Sequence, residues 1–391
     1  MGFLSGRLTF ERFQVEGDAP KLFGPDEISA LEKFAIGQVE SVSADGATTG
    51  FLGGRHLFDT EFSLEKNVSN DALHAALRID THKIPGPLRK AWLEMELAAL
   101  AAANPERRIS RADRKQAQEA VQARCEEEIR TGKFRRMQQS AFLWDARDGV
   151  VYCSATSPGV QEQLRTLFEQ AFGLELTRIT AGVLAEQFAR ENKWMKAFDK
   201  LAPSRFHEGR AEQTVAWLSE QPESADYLGN EFFAWLWWYL AEESDSLELS
   251  DGTQVTAMLT KTLSLECPWG ESGRETISAE APVQLPEAFQ ALRSGKQPRK
   301  SGMLLAREGE HYDLVLQAES FGVGAAGIES ADGGRGRGDE RIDAIRRFAE
   351  TLDLIFEAFC ARRLTKDWEA ELGRIRSWLN KRQSASRAPA A

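Results

Sequence analysis

Residues 83–92, Lys83-Ile84-Pro85-Gly86-Pro87-Leu88-Arg89-Lys90-Ala91-Trp92, turn an extended chain into a helix. Each proline fixes its φ near −65°, so Pro85-Gly86-Pro87 ends a strand and pre-sets a first helical turn. Leu88, Ala91, Trp92, Met95, Ala99 and Ala102 then recur at helical spacing until Asn104-Pro105 stops them. Ser110 and Asp113 have capping-box spacing and open a second helix that runs to about Arg130, where Gly132 can close it. Two helices with a short link between them predict a helical hairpin.

Extended segments flank this hairpin. Residues 72–81 lead into it, and residues 140–144 and 150–154 follow it as a β-hairpin around the Asp148-Gly149 turn. Residues 8–15 alternate apolar and polar like a half-buried strand, and Pro25 opens a helix with Ile28, Leu31, Phe34 and Ala35 on one stripe. Residues 49–58 and 61–66 read as strands. Ser157-Pro158 starts a helix bearing Val160, Leu164, Leu167, Phe168 and Ala171, and a strand over 174–179 ends this half. The order predicts an α+β sheet domain, residues 1–82 and 140–181, with a projecting arm at 83–139.

Residues 182–383 form a further mixed region. Residues 227–241 carry Phe232, Phe233, Trp235, Trp237, Trp238 and Tyr239, and aromatics on every side of a helix predict full burial. Strands are expected at 247–249, 257–265, 276–279 and 312–317, a helix at 287–293 and a helix pair over 340–381. The Gly-rich residues 322–338 read as a flexible loop and residues 384–391 as a disordered tail. No internal repeat is apparent.

The chain has 391 residues and a net charge of −11, which opposes nucleic-acid binding unless cations are segregated. They are. Residues 83–136 hold thirteen basic and eight acidic residues, a net of +5, which leaves −16 for the rest. Candidate phosphate contacts are Lys83, Arg89, Lys90, Arg107, Arg108, Arg111, Arg114, Lys115, Arg135 and Arg136. A second basic group, Arg293, Lys296, Arg299 and Lys300, is placed in a helix-to-strand connection.

Other chemistries find little support. Gly322-Val323-Gly324-Ala325-Ala326-Gly327 has dinucleotide-fingerprint spacing, but Ile328-Glu329-Ser330-Ala331-Asp332-Gly333-Gly334 is a poor helix start. His56, His74, His82, His207 and His311 lack metal-ligand spacing. The reading expects no catalytic site, metal or cofactor. Four widely spaced cysteines fit reduced thiols in a cytoplasmic protein, and no apolar run approaches a membrane span.

Residues 73–179 resemble the recombination-associated RdgC family. The resemblance rests on Lys83-Ile84-Pro85 before a polar helical hairpin, then Phe134-Arg135-Arg136-Met137-Gln138-Gln139-Ser140, Phe142-Leu143-Trp144-Asp145 and Val151-Tyr152-Cys153-Ser154. Gly2-Phe3-Leu4-Ser5-Gly6-Arg7 and Glu287-Ala288-Phe289-Gln290-Ala291-Leu292-Arg293-Ser294-Gly295-Lys296 extend it. It implies a horseshoe-shaped subunit with a centre sheet domain, a helical-hairpin tip and a mixed base. Two such subunits would form a homodimeric ring around double-stranded DNA, associate with the nucleoid and limit a RecA-type recombinase. Phe134 would be an aromatic dimer contact at the tip. The family's basic strand after the base helices is here Ile277-Ser278-Ala279-Glu280-Ala281-Pro282, which is acidic. The alternative expectation is a protein–protein interaction module that keeps the fold without binding DNA; an unrecognised hydrolase or nuclease is a further rival.

Overall fold

A computed structural model describes residues 2–38, 47–103, 108–206, 224–268, 272–328 and 338–380. In chain order the strands are β1 (Leu8–Glu16), β2 (Thr48–Leu52), β3 (Val68–Ser69), β4 (Ala72–His82), β5 (Arg135–Asp145), β6 (Val150–Cys153) and β7 (Glu175–Arg178). There follow β8 (Ser246–Glu248), β9 (Gln254–Glu266), β10 (Glu275–Ala279), β11 (Gln297–Arg307), β12 (Glu310–Gln317) and β13 (Val323–Ile328). The helices of the first half are α1 (Pro25–Lys33), α2 (Leu64–Asn67), α3 (Gly86–Ala103), α4 (Arg111–Arg130) and α5 (Pro158–Phe172). Those of the second are α6 (Ala181–Glu191), α7 (Met195–Phe198), α8 (Leu228–Glu242), α9 (Pro286–Arg293), α10 (Gly338–Arg363) and α11 (Trp368–Asn380).

All ladders between these strands are antiparallel, in the order β10-β9-β11-β12-β13-β1-β6-β5-β4-β2. The fold is thus mixed α+β. β1 joins its two halves, with Leu8 and Phe10 in register with β13 and residues 11–14 in register with β6. Successive strand side chains point to opposite faces, so β1 serves two interiors. Phe13 and Val15 enter a core under α1 and α5, where Trp144 meets Phe23, Phe168 and Phe172 edge-on at 4.9–5.1 Å. Phe10 enters a larger core that includes residues of α6, α8, α9, α10 and α11. Leu143 and Tyr152 of the N-terminal sheet lie in that same larger core. The expected boundary after residue 181 therefore does not separate two interiors.

Buried ion pairs tie the halves together. Arg12 of β1 forms a two-bond pair with Asp353 of α10, at 2.7 and 2.6 Å. Eleven consecutive residues of α8, from Leu228 to Trp238, are buried, as the aromatic pattern predicts. Gly229 permits that depth, because a Cβ there would stand 1.8 Å from the Ala318 carbonyl oxygen.

Three expectations are corrected. Residues 323–328 form β13, not part of a loop, because they pair with β12 on one side and β1 on the other. Residues 64–67 form a helical turn capped by the Ser63 hydroxyl, not a strand. Residues 297–307 form β11, so Arg299 and Lys300 sit inside the sheet rather than in a connection. The sequence reading assigned no element over residues 181–191, where α6 forms with Thr180 as its cap. Residues 329–337, from the Gly-rich stretch, and the tail at 384–391 lie outside the described residues.

Candidate nucleic-acid interface

The β4–β5 ladder runs to the pair His82–Arg135, and α3 and α4 grow from the ends of these strands. Ser110 and Asp113 complete the capping box, with the Asp113 amide donating to Ser110 Oγ at 3.2 Å and the Ser110 amide donating to Asp113 Oδ2 at 2.8 Å. Gly132 takes the left-handed conformation that ends α4. The hairpin has its own small core of Trp92, Val121 and Cys125, bordered by Ile84, Leu88, Leu93 and Phe134. The Arg124 guanidinium lies 4.5 Å from the centre of the Trp92 ring and covers it.

The root is pinned by charge. Asp80, 1% exposed, accepts from Arg78 at 2.8 and 2.9 Å and from Arg135 Nε at 3.1 Å. Burial opposes its negative charge, but the two guanidiniums outweigh burial and hold the carboxyl below the ordinary aspartate range. Arg135 is therefore a root residue as well as a surface cation.

The expected contacts fall into groups. Lys83, Arg89, Arg108, Arg111, Arg114 and Arg136 are exposed, and among the described residues no carboxylate pairs with them. Lys90 and Lys115 make only loose contacts of 3.9 and 3.7 Å with Glu94 and Glu119, all four side chains being largely solvated. Arg89, Lys90 and Lys115 line one groove between α3 and α4 with Gln118 and Gln122, while Glu119 and Glu126 also border it. Arg107 lies outside the described residues.

The second group is dispersed. Lys296 is buried and paired with Glu275, and Arg299 bridges Glu266 at 2.9 Å and Glu319 at 2.8 Å. Arg293 rests on the Phe289 ring at 5.6 Å, and Lys300 is half-buried in β11. Lys296 and Arg299 are thus engaged with carboxylates of the C-terminal half. Phe134, left-handed at φ 62°, packs at the root against its own hairpin. The large apolar side chains that the hairpin leaves exposed are Met95 and Ile129.

The sequence reading missed the loop over residues 53–59, which displays Arg55, His56 and Phe58 beside the hairpin root. The available signal was Gly53-Gly54, a pair suited to a tight turn before two cationic residue types.

Among the described residues, no group of three His, Cys, Asp or Glu side chains could hold a metal ion. Among them too, no helix is long and apolar enough to cross a membrane. The four cysteines are buried. The chain matches no protein-family model and no curated protein sequence.

Proposed function

We propose that this protein binds double-stranded DNA without sequence preference, as a homodimeric ring of RdgC-like horseshoe subunits, and limits a RecA-type recombinase at the nucleoid. The observation that carries the reading is the set of exposed cations with no carboxylate partner among the described residues, on a hairpin of net charge +5 in a chain of net charge −11. Long flexible cations that owe nothing to a protein carboxylate are free to neutralise phosphates. The acidic remainder repels a polyanion, so the hairpin is where contact is favoured. Met95 and Ile129 offer the hairpin's apolar contact to a second copy, since Phe134 is engaged at home. A catalytic role is not part of the proposal.

Gel shift of a random-sequence duplex at several salt concentrations tests it. Each phosphate neutralised contributes a slope of about −0.9 in log affinity against log salt. The double variant Arg111→Glu/Arg114→Glu should weaken binding and flatten that slope. Salt-independent binding, strong preference for one sequence, or indifference to the charge reversal would overturn the reading. The pairing of Lys296 and Arg299 with carboxylates supports the alternative, a protein–protein interaction module that keeps the fold without binding DNA.

A further inference from the structure

Phe58 is 68% exposed, an unusual position for a phenylalanine, and it stands on a loop built to keep it there. The Gly53 amide donates to the Asp59 carbonyl at 2.7 Å, and the Asp59 amide donates to the His56 carbonyl at 3.0 Å. The Asp59 carboxylate accepts from the Arg55 amide at 3.0 Å and from Lys66 Nζ at 2.5 Å. Asn67 holds the Gly53 carbonyl at 3.1 Å. Gly53 has no alternative here, since a Cβ would lie 2.3 Å from the Glu61 carbonyl oxygen. The loop is thus fixed from within and from below.

The ring is backed by charge. Arg78, itself 5% exposed, places its guanidinium 5.4 Å from the Phe58 ring centre while donating to the Leu57 carbonyl at 2.7 Å and to Asp80. Asp80 in turn holds Arg135, so Phe58, Arg78, Asp80 and Arg135 form a continuous chain into the hairpin root. One ring face has a cation behind it, and most of the ring faces water. Arg55 and His56 are exposed on the same loop. The His56 Nδ1 accepts from the Phe58 amide at 3.2 Å, which leaves Nε2 as a donor.

We propose that this loop is a stacking platform for one unpaired nucleobase, with Arg55 and His56 taking the adjoining phosphates. A flat, preorganised aromatic ring beside cations suits a base freed from its pair, because every base has a π-face and stacking is sequence-tolerant. An intact duplex keeps its bases stacked on each other and gains nothing from Phe58. The site therefore adds recognition of single-stranded or gapped DNA to the duplex binding proposed above. It rests on that reading only in taking DNA as the ligand.

The test uses the full chain, a short oligothymidylate, an oligonucleotide carrying one fluorescent adenine analogue, and a blunt random-sequence duplex. The wild type should bind both single strands and quench the analogue on stacking. Phe58→Ala should lose roughly ten-fold in single-strand affinity and the quenching, with duplex affinity unchanged. Phe58→Trp should restore both, and Arg55→Glu should weaken single-strand binding without abolishing the quenching of bound analogue. Absence of single-strand binding by the wild type, or equal single-strand affinity and quenching in Phe58→Ala, would overturn the platform. Failure of the duplex arm alone would overturn the ring reading and leave the platform standing.

Discussion

The guanidinium of Arg346, on α10, closes on the carboxylate of Asp145 at the end of β5, with Nε at 2.6 Å and Nη2 at 2.9 Å. Asp145 is fully buried, and Arg346 also donates to the Asn70 carbonyl at 2.7 Å. This pair joins α10 to the strand that leads out of the hairpin. Removing one partner of a buried pair leaves an uncompensated charge, so Arg346→Ala should lower unfolding free energy by about 3–5 kcal/mol. Urea denaturation measures this. The double variant Arg346→Met/Asp145→Leu should lose much less, because no buried charge is then orphaned.

The parts legible in the sequence are those whose signals are local. Proline at the start of α1 and α5, the Ser110–Asp113 box and the Asp148-Gly149 turn each act within a few residues. β11 was illegible for the opposite reason. Its opening Gln297-Pro298-Arg299-Lys300 reads as solvated, yet Pro298 is buried and Arg299 is neutralised by Glu266 and Glu319, residues distant in sequence. Gly302 looks like a breaker, but a Cβ there would lie 2.1 Å from the Thr260 carbonyl oxygen of the adjoining strand. The candidate site divides the same way. Free cations of the hairpin were readable as a count, whereas the pairing of Lys296 depended on a partner, Glu275, that only the sheet brings near.

Gly229 allows a prediction of sign. In an exposed helix, replacing glycine by alanine gains about 1 kcal/mol. Here the added methyl would meet the Ala318 carbonyl oxygen at 1.8 Å, and that oxygen belongs to backbone that cannot rotate away. Gly229→Ala should therefore destabilise the protein, by about 1–3 kcal/mol or more as α8 is pushed off β11. A lowered thermal midpoint is the expected result, and a raised one would contradict the close approach.

Asp80 gives the hairpin root an acid limit. Its folded pKa lies below the unfolded value of about 3.9 because Arg78 and Arg135 outweigh the effect of burial. A depressed acid pKa contributes stability that is present above the unfolded value and is lost as pH falls through the folded one. Stability attributable to this cluster should therefore be constant near neutrality and decline below about pH 4. Asp80→Asn should lower stability at neutral pH and reduce the slope in the acid range. Denaturant midpoints measured across that range check both, and an unchanged acid slope would show that other carboxylates govern it.

The hairpin should also be separable. Its apolar cluster, Trp92 with Val121 and Cys125, is distinct from the two main cores, and the β4–β5 ladder already continues to His82 and Arg135 without help from α3 and α4. Replacing residues 84–133 by an Asn-Gly turn would join two strands that are in register, which is the condition a tight hairpin needs. The shortened chain should unfold within about 1 kcal/mol of the full one, because no residue of the large cores is deleted. It should also lose most of its salt-dependent affinity for duplex DNA, since Arg89, Lys90, Arg108, Arg111, Arg114 and Lys115 all go with the arm. Retained duplex affinity in a stable shortened chain would move the interface elsewhere. Loss of cooperative unfolding would instead show that the arm stabilises the sheet from which it grows.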